Sequence, residues 1–180
     1  SETITSFGIP DILVNGVGGN IGKSPLVEQD MELFEKVLHL NLVAGLMIPT
    51  KVFADYWIKN EVKGCIINLT SMASYNPLSG VWAYDAAKSA TLNLTMASAN
   101  EFAEYGIRVN AIAPGRVETP ARATSFAPDP KYREAMLNKI PLKRFCTPEQ
   151  AAGAACYLAS DLASIMTGQV LILDGGITTY

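Results

Sequence analysis

"GCIINLTSMASYNPLSGVWAYDAAKSATLNLTMASANEFAEYGIRVNAIAPG" runs from Gly64 to Gly115. It opens on an apolar run, Cys65 to Leu69, and closes on another, Ile107 to Ala113. Between them lies a long segment with apolar residues at helical spacing, ended by Gly106. Short runs rich in Val, Ile and Leu rather than strictly alternating suit parallel strands covered on both faces. Strand, long helix, strand is a crossover unit, and such crossovers are right-handed.

The same grammar extends both ways. "DILVNG" at 11–16 and "GQVLILDGG" at 168–176 read as further buried strands, with 64–71 and 107–115 as the other two. Residues 30–59 carry helical spacing, with Pro49 expected to kink or break the run. Residues 82–105 form the second long helix, and 129–138 and 148–159 shorter ones. Thr147-Pro148-Glu149 is a start signal, with Thr as N-cap, Pro in the first turn and Glu beside it. The fold class is therefore α/β, a parallel sheet with flanking helices in one domain spanning 1–180.

Composition narrows the function. Hydrophobic residues make up 49% and charged residues 17%, which gives a core and argues against disorder. The net charge is -3 without a basic cluster, so nucleic acid and anionic membrane surfaces are not expected partners. The apolar stretch from Val37 to Phe53 is interrupted by His39, Asn41, Pro49 and Lys51, which reads as too broken for a membrane span. Cys65, Cys146 and Cys156 make no CxxC pair and read as free buried thiols of a reducing, cytoplasmic setting. No metal-ligand cluster stands out, so no metal is expected. His39, the one histidine, reads as structural.

The chemistry centres on Tyr84 and Lys88, four residues apart and so on one helix face. A cation near a phenol favours the phenolate, which makes a tyrosine useful as an acid or base near neutral pH. The pair alone is a short motif with a high false-positive rate, and a helix tyrosine beside a solvated lysine is the bland reading. The surroundings weigh against it. Ser71 ends the strand at 64–71, Asn15 and Gly16 end the first strand, and Pro114 and Gly115 end the third. Ligands of open parallel sheets sit at such carboxyl ends.

Together these residues resemble the short-chain dehydrogenase/reductase family. "VNGVGG" at 14–19 is similar to its Asn-Asn-Ala-Gly motif, and "LNLVAG" at 40–45 carries its helix asparagine, Asn41. "INLTSMAS" at 67–74 carries its serine, and "YDAAK" at 84–88 its Tyr-x-x-x-Lys. "RVNAIAPGRVETP" at 108–120 is similar to its nicotinamide segment, and 146–176 to its closing helix and strand. The resemblance implies a doubly wound, Rossmann-type sheet, NAD or NADP as cofactor, and a small alcohol or carbonyl substrate. It implies Tyr84 as general acid/base, Lys88 as its charged neighbour and ribose ligand, and Ser71 as the group orienting the substrate oxygen. Asn41 would hold a water leading from Lys88. Asn15, Gly16, Val17 and Gly18 would lie along the adenosine side, Pro114, Gly115 and Val117 against the nicotinamide, and Thr119 at its carboxamide or the pyrophosphate.

Three departures from the family pattern matter. Gly16 replaces the second asparagine, so a sheet-bracing hydrogen bond is expected to be missing. Asp85 stands where a small residue is commoner, and if buried it would oppose phenolate formation. No Gly-x-x-x-Gly-x-Gly precedes "DILVNG", so the chain reads as a truncated NAD(P)-binding domain entered in mid-fold. The strand at 11–16 then becomes an unpaired edge, which invites a homo-oligomer, dimer or tetramer. A non-catalytic remnant that binds a partner is the competing reading, and a dehydratase or epimerase variant is third. The segment 119–147, with Arg122, Phe126, Arg133, Met136 and Leu137, reads as a lid, with small polyol or keto substrates slightly preferred. Met72, Tyr75, Leu78 and Trp82 either line the pocket or pack in the core.

Overall fold

The computed structural model describes residues 2–78, 80–119 and 130–179. Arg122 and Phe126 of the expected lid lie outside the described residues. Four parallel strands form one sheet: β1 (Ile12–Asn15), β2 (Cys65–Leu69), β3 (Arg108–Pro114) and β4 (Val170–Leu173), in the order β1-β2-β3-β4. Each expected strand is present, trimmed by one to three residues at its ends, as ladder bonds fade into turns.

The helices cover both faces. One face carries α3 (Ile48–Lys59) and α4 (Trp82–Phe102), packed through Trp57, Ile66, Ala99, Ile107 and Val109, and α2 (Met31–Leu38) packs on α4. The other carries α6 (Pro148–Ala159), packed through Leu158 on Cys65, Ile67 and Ile112. Period-two alternation does this sorting: Ile66 and Asn68 face the first layer, Cys65 and Ile67 the second. Two further helices stand outside this frame, α1 (Glu2–Phe7) near β1 and α5 (Pro130–Asn138) within the expected lid, where it carries Arg133, Met136 and Leu137.

Helix ends follow local chemistry. α4 tightens into a last turn at Ala103–Tyr105 and stops at Gly106, whose φ of 71° is the left-handed conformation glycine adopts freely. Thr147 caps α6 as expected, and its own N–H donates in return to Gln150 Oε1, completing a capping box.

Pro49 does not break its helix. α2 and α3 are joined by a wide π-type stretch, His39–Met47, and the run continues from Met31 to Lys59. A proline removes one helix donor and crowds the carbonyl four residues back; the wider turns ahead of it relieve both. By length and composition this run is apolar enough to cross a membrane, contrary to the sequence expectation, but here it covers the sheet with Val37, Leu46, Ala54 and Trp57 buried.

The thiols also differ from expectation. All three are free, but only Cys65 is buried; Cys146 is half-buried and Cys156 faces solvent on the outer side of α6. His39 is exposed.

The missing asparagine at 16 does not leave the sheet unbraced. Parallel register sets Asn15 beside Asn68, and the Asn15 Nδ2 donates to Asn68 Oδ1 and to Thr50 Oγ1, each at 2.9 Å. Asn68 Nδ2 donates in turn to Thr95 Oγ1 at 2.9 Å. This buried chain ties β1, β2, α3 and α4 together.

β1 is an edge of the sheet among the described residues. Ile12 and Val14 are 43% and 49% exposed, whereas Ile66 and Ile67 of β2 are fully buried.

Candidate active site

The carboxyl ends of β2 and β3 hold the site. The end of β2 and the first turns of α4 are tied in both directions: Lys88 Nζ donates to the Leu69 carbonyl and Thr70 Oγ1 to the Lys88 carbonyl, each at 2.8 Å. That pins the lysine's base and its ammonium to the same strand end. Lys88 is only 6% exposed, and its Nζ lies 5.6 Å from the centre of the Tyr84 ring. Burial pushes its pKa down to about 8, because an ammonium loses hydration there.

Ser71 leaves β2 in extended conformation and caps a short turn, Met72–Ser74, with its Oγ accepting from the Ala73 N–H at 3.1 Å. The hydroxyl keeps its proton to give. Tyr84 and Ser71 line one cavity of about 240 Å³, together with Thr70, Met72, Leu78, Pro114, Gly115, Arg116, Val117 and Thr119. Of the four residues left open between pocket and core, Met72 and Leu78 line this cavity. Trp82 is occupied elsewhere, its Nε1 donating to the Ser24 carbonyl at 3.0 Å.

Gly115 belongs to the site for a steric reason. A Cβ there would lie 2.8 Å from Asp174 Cα, so only glycine lets β3 and β4 end this close. Asp174 accepts from the N–H groups of Gly176 and Thr178 and from Thr178 Oγ1, a structural role. Burial raises its pKa, and these hydrogen bonds outweigh that and leave it lowered.

The residues expected along the adenosine side divide. Asn15 is buried in the brace and turned away from the cavity. Gly16, Val17 and Gly18 are exposed on the loop beyond β1. Gly18 lies between two site groups: a Cβ on it would come within 2.5 Å of Asn41 Oδ1 and 3.4 Å of Lys88 Nζ. Asn41 is buried in the π-type stretch and grips this loop from both sides, Oδ1 accepting from Gly19 N–H and Nδ2 donating to the Gly19 carbonyl.

Sequence reasoning missed Gly45, where a Cβ would fall 2.4 Å from the Val17 carbonyl oxygen. Its position four residues before Pro49, inside an apolar helix, was the available signal. It also missed Arg116 and Thr70 as cavity residues. Among the described residues no cluster of His, Cys, Asp and Glu could hold a metal ion.

Comparison with known proteins fits this geometry. The family model described as enoyl-(acyl carrier protein) reductase matches residues 1–178. The chain belongs to the short-chain dehydrogenase/reductase family. Among its family relatives, 3beta-hydroxysteroid dehydrogenase 1 of Eggerthella lenta is 41% identical over 175 residues, covering 97% of this chain and 66% of the relative. Glucose 1-dehydrogenase of Gluconobacter oxydans is 38% identical over 180 residues, covering 100% and 66%. The solved structure of 4-hydroxyisoleucine dehydrogenase complexed with NADH superposes with a TM-score of 0.91 at 30% identity, covering 99% of this chain and 72% of that one. The chain thus spans about 66% of the length of these two curated relatives.

Proposed function

We propose that the chain carries the acid–base machinery of an NAD(P)-dependent oxidoreductase acting on a small alcohol or carbonyl compound. The observation that carries this reading is one cavity at the strand ends lined by Ser71 and Tyr84, with the buried Lys88 Nζ 5.6 Å from the centre of the tyrosine ring.

The residues fit such a cofactor. Pro114, Gly115, Val117 and Thr119 line one cavity with Ser71 and Tyr84, and the glycine admits no side chain because a Cβ there would meet Asp174. When bound, NAD or NADP supplies the hydride acceptor or donor. Ser71 donates its hydroxyl proton in a hydrogen bond to the substrate oxygen and orients it. Tyr84 Oη takes the alcohol proton in oxidation, or gives one to the substrate oxygen in reduction. Lys88 supplies positive charge near that oxygen and, with a pKa of about 8, exchanges its own proton near neutral pH. Asn41 holds the Gly18–Gly19 loop against Lys88, and the second lone pair of its Oδ1 suits a water passing protons on from Nζ.

Several coarser features belong to the same reading. The chain acts as one Rossmann-type unit, with three unpaired thiols in keeping with a reducing cytoplasm. It associates with copies of itself through apolar surface such as the open β1 edge, where Ile12 and Val14 face solvent. The two relatives are named for a hydroxysteroid and for glucose, so likeness at this level does not choose the substrate. A cavity of about 240 Å³ favours a small reacting portion.

The test is reduction of a panel of ketones with NADH and NADPH by the wild-type chain and by Tyr84→Phe and Ser71→Ala. Tyr84→Phe is expected to lose at least about 10³-fold in turnover while the wild type reduces some member of the panel. Equal rates in wild type and Tyr84→Phe would overturn the reading.

A further inference from the structure

Asp85 follows Tyr84 in the first turn of α4 and is only 7% exposed. Its Oδ2 accepts from the Leu78 N–H at 2.7 Å, the pair being part-buried. Its Oδ1 is buried and without a hydrogen-bond partner, alone in this among the described buried side-chain nitrogen and oxygen atoms. Burial raises the pKa of the carboxyl, only partly countered by the Leu78 hydrogen bond. Asp85 is thus buried, the case in which the sequence reading expects it to oppose phenolate formation at Tyr84.

A buried carboxyl with an orphaned oxygen is costly, so its one hydrogen bond needs a reason. The partner supplies it. Leu78 belongs to the bend between the Ser71 turn and α4, and its side chain lines the cavity that holds Ser71 and Tyr84. The bend is otherwise secured by backbone: Asn76 N–H donates to the Met72 carbonyl, Val81 N–H to the Leu78 carbonyl and Ser24 N–H to the Gly80 carbonyl. Asp85 is the side chain that fastens its middle. A small residue at position 85 would not reach.

We propose that Asp85 is a positioning residue: its carboxyl latches the bend through the Leu78 N–H and so fixes Leu78 as an apolar wall of the Ser71–Tyr84 cavity, which sets which substrates fit. The latch itself stands on geometry alone, and the effect on substrates rests on the oxidoreductase reading above.

The experiment compares the wild-type chain with Asp85→Ala, Asp85→Asn and Leu78→Ala. It reads residue-resolved amide hydrogen exchange, NADH affinity, and steady-state reduction of a panel holding a cyclic ketone, a keto acid and a ketosteroid. In Asp85→Ala the Leu78 amide should exchange about ten- to a hundred-fold faster, with the amides of Thr91 and Ala99 in the buried part of α4 unchanged. KM for the ketone should rise about fivefold or more with kcat and NADH affinity nearly unchanged. Asp85→Asn should restore both, because its amide oxygen accepts the same N–H. Leu78→Ala keeps the latch and removes the wall, so it should raise KM by a similar factor even where Asp85→Ala does not fold. Unchanged Leu78 exchange in Asp85→Ala overturns the latch. Faster exchange with unchanged KM, or a fall in kcat alone, overturns the positioning role. A wild-type chain that reduces none of the ketones counts against the oxidoreductase reading instead, and the Leu78 exchange still decides the latch.

Discussion

Replacing Lys88 by methionine should change how stability depends on pH, and the size of the change follows from burial. In the fold the Lys88 pKa is about 8, against 10.5 for the free side chain. Below pH 8 the lysine is charged in both states, and the folded state bears the full cost of burying the charge. Above 10.5 it is neutral in both and the cost vanishes. Between these limits the unfolded chain binds more protons, so stability rises with pH. The full span is worth about 3 kcal/mol, and about 2 kcal/mol of it falls between pH 7 and pH 9.5. Methionine keeps a similar length and has no charge to desolvate. The lost hydrogen bond to the Leu69 carbonyl costs the variant about the same at both pH values and cancels in the comparison. Urea unfolding of both proteins, followed by the fluorescence of Trp57 and Trp82, measures the difference. Wild type should gain about 2 kcal/mol on the variant between pH 7 and pH 9.5. A constant difference would show that Lys88 is solvated, and with it the account of the site would lose its poised lysine.

Other expectations can be checked in the same way. Asn68→Ala leaves the Asn15 amide and the Thr95 hydroxyl each short of a partner and should cost about 2–3 kcal/mol by urea unfolding. Combining it with Thr95→Ala should cost less than the two single changes added together. Gly115→Ala puts a methyl against Asp174 Cα, a backbone atom that cannot turn aside. It should lower stability by about 1–3 kcal/mol and weaken NADH binding in a fluorescence titration. Light scattering across a hundredfold dilution should show a mass above that of one chain that falls on dilution, and a constant monomer mass would contradict association through the apolar surface.

The strands were legible because a parallel sheet covered on both faces needs runs rich in apolar residues. β3 shows this, with Val109 to Ala113 all buried. The start of α6 was legible because Thr147 and Pro148 act locally. Pro49 misled because the cost of a proline can be relieved by widening the preceding turns, which depends on what the helix packs against. The brace through Asn15, Asn68, Thr50 and Thr95 was illegible for a different reason. Its hydrogen-bonded pairs are separated by up to 53 residues, and the strand register and helix packing bring them together. The Tyr84–Lys88 face followed from helical spacing, whereas the shared cavity with Ser71 needed the sheet to close first. Asp85 was visible as an oddity, but its partner Leu78 lies across a bend whose path no local pattern states.

The most direct test of the central claim is a pair of measurements on wild type and Tyr84→Phe, NADH binding by fluorescence titration and ketone reduction over pH 6–10. The account predicts equal cofactor binding in both, turnover in the wild type that changes with an apparent pKa near 8, and none in Tyr84→Phe. Turnover that survives in Tyr84→Phe with an unchanged pH profile would contradict it.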